Sequence, residues 1–151
     1  MKLAEALSLR ADLQKSIGQL KSRLKECSKI QEGDVPSEDP QDLLAALEKK
    51  YPELESLIFR INYTNMNTMQ QDGMSLTCLI ARKDILTLKI STMREVLKYA
   101  TEREDRYSRS EIKYVCLLDV AAIRKQTDAL SQELRLLDIQ IQRLNWSTDL
   151  L

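Results

Sequence analysis

The sequence predicts an all-α protein of four long amphipathic helices, arranged as antiparallel coiled-coil hairpins in a helical bundle and forming a single domain over residues 1–151. Three observations predict it. Apolar residues recur at alternating steps of three and four over four stretches of similar length. Glycine and proline number three each, which leaves little material for the many turns of an all-β fold. The turn-forming residues also fall mostly between the four stretches rather than inside them.

The first helix is expected over about residues 2–29, with a seam of Leu3, Ala6, Arg10, Leu13, Ile17, Leu20, Leu24 and Cys27. The stretch "EGDVPSEDPQD" then breaks the pattern with Gly33, Pro36 and Pro40. A second helix is expected over about 41–70, with the seam Leu44, Leu47, Tyr51, Leu54, Ile58, Ile61, Asn65 and Thr68. Pro52 lies within it, removes a backbone donor and crowds the preceding turn, so a kink is expected there. The pair Asp72-Gly73 marks the next turn.

The third helix, over about 75–103, carries Leu76, Leu79, Lys83, Leu86, Ile90, Met93, Leu97 and Ala100. The fourth carries Val120, Ile123, Thr127, Leu130, Leu134, Leu137, Ile141 and Leu144 and ends near 146. Its start has two readings. Ser108 with Glu111 three residues on matches a capping box and would begin it near 109, whereas Asp119 would cap a helix beginning near 119. The segment "IKYVCLLD" is rich in strand-favouring residues, which fits an extended connection.

Of the 32 seam positions 27 are apolar, so long helices packing at shallow angles are expected. The polar exceptions have structural roles in prospect. Asn65, Thr68, Lys83 and Thr127 are candidates for fixing register or partner choice, because a polar group on a seam penalises alternative pairings. Arg10 and Lys83 are expected to extend their charged ends into water. A second apolar row, off the seams, comprises Phe59 and Tyr63 on the second helix, Ile85, Leu88, Val96 and Tyr99 on the third, and Leu136, Ile139 and Trp146 on the fourth. Helices apolar on two sides need two neighbours, so a homo-oligomer, dimer or higher, is expected.

Cations and carboxylates balance at 23 each, so no global field draws the chain to nucleic acid, which is not expected as a partner. The longest apolar run is "LLAAL", far short of the roughly 20 residues that cross a bilayer, and Glu5 and Arg10 interrupt the stretch where a signal peptide would be apolar. Stable membrane insertion is not expected, and a cytoplasmic protein is. Histidine is absent. That removes Ser-His-Asp and Cys-His nucleophile systems, His-ligated zinc and the Glu-x-x-His pairs of di-iron bundles. Cys27, Cys78 and Cys116 are odd in number and far apart, and are expected to be buried free thiols. Neither catalytic nor metal-ligating residues nor a cofactor are indicated, and a non-enzymatic protein is expected.

One polar run offers a candidate binding site. In "EDRYSRSEIKYV" and its approach, Arg103, Arg106, Arg109 and Lys113 recur every three to four residues, which would align four cations on one helical face. Tyr107 and Ser108 would add hydroxyl donors, and a small anion or a nucleic-acid phosphate is the ligand such a set would take. The competing reading is a connector in which Glu102, Glu104, Asp105 and Glu111 neutralise the cations locally.

The segments "MKLAEAL", "QEGD", "RIN" followed by "TN", "DG" with "LT", "DRYSRSEIK", "DVAAI" and the ending "LNW" together resemble the septicolysin-like family of small bacterial proteins. The similarity spans essentially the whole chain, with "DRYSRSEIK" its most specific part. The resemblance implies a helical, coiled-coil-rich protein and carries over no catalytic residues. The family label implies a membrane-active toxin, yet these helices mix acidic and basic residues evenly, unlike a basic amphipathic lipid-binding helix. The expected role is therefore a structural or interaction module that self-associates through coiled-coil faces, with anion binding and membrane lysis as alternatives.

Overall fold

A computed structural model describes residues 1–70, 73–102 and 112–151. The protein is all-α, with helices α1 (Leu3–Cys27), α2 (Pro40–Asn67), α3 (Leu76–Thr101) and α4 (Val120–Ser147). Among the described residues the extended contacts are two isolated bridges, Lys2 with Asp149 and Met69 with Ser75.

Local chemistry sets the helix ends. The Lys2 backbone N–H donates to Glu5 Oε2 at 2.6 Å, which satisfies one of the donors left open at the start of α1. Asp39 caps α2 by accepting from the Gln41 N–H at 2.8 Å, and Pro40 stands at a first-turn position where its missing N–H costs nothing. Asp119 caps α4, its Oδ1 accepting from the Ala122 N–H at 2.9 Å. The later of the two predicted starts is thus the observed one, and residues 112–119 form neither helix nor strand. Gly33 and Gly73 take positive φ, +94° and +79°, at the two turns that the sequence marks. Asp72 itself lies outside the described residues.

The contacts gather into two compact units. Unit 1 comprises Met1–Thr77 with Gln142–Leu151. Its core joins Leu20 and Cys27 of α1 to Leu43 and Leu47 of α2, with Ile17, Leu24 and Ala46 packed against them. Arg23 reaches across to Glu38, and this hydrogen bond holds the Glu38 carboxyl below the usual carboxylate range. The start of α1 is stitched to the segment after α4: Leu3 N–H donates to the Thr148 carbonyl and Leu150 N–H to the Met1 carbonyl, both at 2.9 Å. Lys2 adds an ion pair to Asp149 at 2.9 Å, whose hydrogen bond lowers the Asp149 pKa. Both pairs are solvent-exposed and screened, so they orient more than they stabilise.

Unit 2 comprises Cys78–Ile141, most of α3 and α4. The two helices run antiparallel: Lys83 meets Asp138 at 2.5 Å, while Met93, further along α3, meets Thr127, further back on α4. Arg82 pairs with Glu133 on the same flank at 2.6 Å. Leu79, Leu86, Ile90, Leu97, Leu137 and Ile141 are buried between them.

The seams of α1, α3 and α4 fall where the periodicity predicts, each seam position being buried or half-buried. That of α2 does not. Leu43, Leu47, Lys50, Leu54, Leu57, Ile61, Thr64 and Thr68 face inward, so every second predicted position moves back by one residue. Leu43 is 5% exposed and Leu44 is 41% exposed. The α2 helix also continues through Pro52 without a restart. Pro52 is exposed, so the acceptor it fails to serve, the Glu48 carbonyl, lies on a wet face where water substitutes.

Of the cysteines only Cys27 is buried; Cys78 and Cys116 are exposed. Cys78 stands between the seam residues Leu76 and Leu79, and Cys116 in the connector before α4, so neither lies on a face covered by a helix.

Candidate functional site

The polar seam residues divide between the two units. In unit 1, Thr64 is fully buried, and its hydroxyl donates to the Arg60 carbonyl at 2.8 Å while accepting the Leu151 N–H at 3.0 Å. Arg60 Nε closes the same corner by donating to the Leu151 carbonyl at 2.9 Å. Thr68 donates its hydroxyl to the Thr64 carbonyl at 2.8 Å, and its backbone carbonyl accepts the Leu76 N–H at 2.9 Å, tying the end of α2 to the start of α3. Asn65 is half-buried beside Thr64. The network is a closure of backbone ends by hydroxyls, with its donors and acceptors spent on the chain itself.

Lys83 and Thr127 belong to unit 2. Lys83 does not simply extend into water but meets Asp138, both side chains being about two-fifths exposed. Thr127 is buried, donates to the Ile123 carbonyl at 2.8 Å and touches Met93 Sδ at 3.6 Å. A hydroxyl turned back on its own helix satisfies itself without a cross-helix polar partner. At the α3–α4 seam Lys83 thus makes an ion pair across to α4, whereas Thr127 spends its hydroxyl mainly within α4.

Arg10 differs from both. Its Nε is enclosed on the α1 seam with no hydrogen-bond partner among the described residues. An enclosed donor without a partner costs stability. Arg10→Met, which keeps the length of the stem and removes the donor, is expected to raise stability by about 1 kcal/mol; an unchanged or lowered thermal midpoint would contradict this.

Of the cationic run, Arg103, Arg106, Tyr107, Ser108 and Arg109 lie outside the described residues, and Lys113 is exposed in the connector. Among the described residues no group of three or more His, Cys, Asp or Glu side chains could hold a metal ion, and no helix is long and apolar enough to cross a membrane. A depression along α1, lined by Lys15, Gly18, Gln19, Ser22 and Arg23, is a shallow surface feature open to solvent.

What the structure does expose is apolar surface. Phe59 and Tyr63 stack on the outer face of α2 with ring centroids 6.1 Å apart, and Met66 extends their row. On α3, Ile85, Leu88, Val96 and Tyr99 are all exposed, as are Leu136 and Ile139 on α4. At about 100° per residue, the four α3 side chains fall within roughly 80° of one another, on the side of the helix away from its seam. Ile112, Tyr114, Val115 and Leu117 are exposed as well, an addition that helical periodicity could not find because the segment is not helical. Exposed apolar side chains thus lie in rows on α2, in unit 1, and on α3 and α4, in unit 2.

A family model described as "Family of unknown function (DUF6847)" matches residues 10–150. The chain is also similar to a solved structure from Corynebacterium diphtheriae, described as that of a functionally unknown conserved protein. The two share 42% sequence identity and a TM-score of 0.92, over 100% of this chain and 99% of the other. No curated protein matches the chain.

Proposed function

The chain belongs to the DUF6847 family of unknown function, and from its surface we propose that it is a non-enzymatic, cytoplasmic structural or interaction protein that self-associates through the outer faces of its helices. The observation that carries this reading is the doubled amphipathicity of α3. One face is buried within the chain through Leu79, Leu86, Ile90 and Leu97, and the opposite face leaves Ile85, Leu88, Val96 and Tyr99 in water. A solvated face is ordinarily polar, and burial of four such side chains in an assembly would be favourable at about 25 cal/mol per Å² of apolar area.

Native mass spectrometry of gently purified protein tests the reading. An assembly at an integral multiple of the chain mass is expected. A bare monomer at every concentration up to high micromolar would overturn it. A reproducible extra mass that disappears in Arg109→Glu would instead assign the protein to anion binding by its cationic run.

A further inference from the structure

The outer face of α3 carries a charge pattern that names its occupant. Cys78, Ala81, Ile85, Leu88, Thr92, Val96 and Tyr99 form one stripe, exposed throughout. Ile85 to Val96 and Leu88 to Tyr99 are eleven-residue steps, a period that keeps a helix stripe nearly straight along its axis. The stripe has unlike flanks. Asp84 and Glu95 border it on one side, and Arg82 and Lys89 on the other, by the same rotation of about 100° per residue.

The asymmetry distinguishes the two ways in which identical helices can pair. In an antiparallel pair each flank meets its own copy, so carboxylate faces carboxylate and cation faces cation. In a parallel pair about a two-fold axis the acidic flank of one helix faces the basic flank of the other, on both sides. Arg82 is already bound to Glu133 within its own chain. Asp84 and Lys89 are exposed and five residues apart, the offset at which flanking charges meet across a parallel pair.

We infer that the outer face of α3 docks a second copy of this chain in parallel, with α3 against α3 and Asp84 of each copy facing Lys89 of the other. This rests on the self-association reading above and specifies its surface, its stoichiometry and its direction. Stripe residues then stack in layers, Ile85 on Ile85 and Leu88 on Leu88, and the charge pairs select this direction over the reverse.

Cys78 supplies the probe. It lies one heptad before Ile85 on the same stripe, is exposed and is in no disulfide. Parallel pairing sets the two Cys78 residues opposite each other in the first layer, whereas antiparallel pairing separates them by roughly 30 Å. A disulfide needs Cα atoms about 4.4–6.8 Å apart. The full chain carrying Cys116→Ser would be oxidised mildly, resolved without reductant, and run beside light scattering of the reduced protein. The expected result is a dimer that cross-links in Cys116→Ser and not in Cys78→Ser. Lys89→Glu is expected to weaken the dimer about fivefold, and Asp84→Lys combined with Lys89→Glu to restore it. A dimer that forms without Cys78 cross-linking, or that is indifferent to Lys89→Glu, would overturn the parallel α3 pairing and leave self-association standing. A chain that remains monomeric in light scattering would overturn both.

Discussion

Leu43→Asp is expected to abolish cooperative unfolding of the α1–α2 hairpin, whereas Leu44→Asp, one residue later, changes stability by no more than about 0.5 kcal/mol. Leu43 packs with Leu20, Cys27 and Leu47 in the core of unit 1, where a carboxylate would find neither water nor a cation. The penalty, about 4 kcal/mol or more, is a large part of the total stability of an ordinary domain. Leu44 points outward, and a carboxylate there stays hydrated. Far-ultraviolet circular dichroism melts of the two variants read the difference directly. Equal destabilisation, or the reverse order, would return α2 to the register that its apolar periodicity suggests.

Thr64→Val is expected to lower stability by about 1–3 kcal/mol although it preserves the volume of the side chain. The Arg60 carbonyl keeps its helical donor in the variant, so the loss falls on the Leu151 N–H, whose acceptor is the Thr64 hydroxyl. Thr64→Ser keeps that acceptor and gives up a methyl group, a loss of about 1 kcal/mol. Hydrogen exchange separates the two effects. The Leu151 amide should lose protection in the valine variant and retain it in the serine variant, and similar exchange in both would remove the hydroxyl from its proposed role.

These two residues also show where sequence was informative. On α3 and α4 one phase of the heptad is more completely apolar than the other, and both seams were legible residue by residue. On α2 two phases compete, because Leu43 and Leu44, and Leu57 and Ile58, are apolar neighbours. Tyr51 against Lys50 tips the pattern toward the phase that the structure leaves outside. The inward phase accepts the Lys50 stem and the Thr64 and Thr68 hydroxyls, whose polar atoms can be satisfied locally. Periodicity scores such residues as polar and has no means of crediting a hydrogen bond to a chain segment 87 residues away. The same blindness hid the exposure of Cys78 and Cys116, since the burial of a thiol depends on which face is covered and not on its own chemistry. The outer apolar rows, by contrast, were fully visible, because amphipathicity on two sides is a property of one helix alone.

The stitching of Met1–Leu3 to Thr148–Leu150 gives unit 1 a discontinuous chain, with the whole of unit 2 inserted between its parts. Closing a loop of this length carries an entropy penalty that grows with the logarithm of its size, and a folded hairpin inside the loop shortens it. The α1–α2 and α3–α4 hairpins each pair helices adjacent in sequence, whereas the joining of Met1–Leu3 to Thr148–Leu150 is the long-range closure. A paired α3 and α4 shortens the loop that this closure must span and so lowers its entropic cost. Loss of the α3–α4 pairing is accordingly expected to raise the entropic cost of closing Met1–Leu3 onto Thr148–Leu150, at a distance from the damage itself.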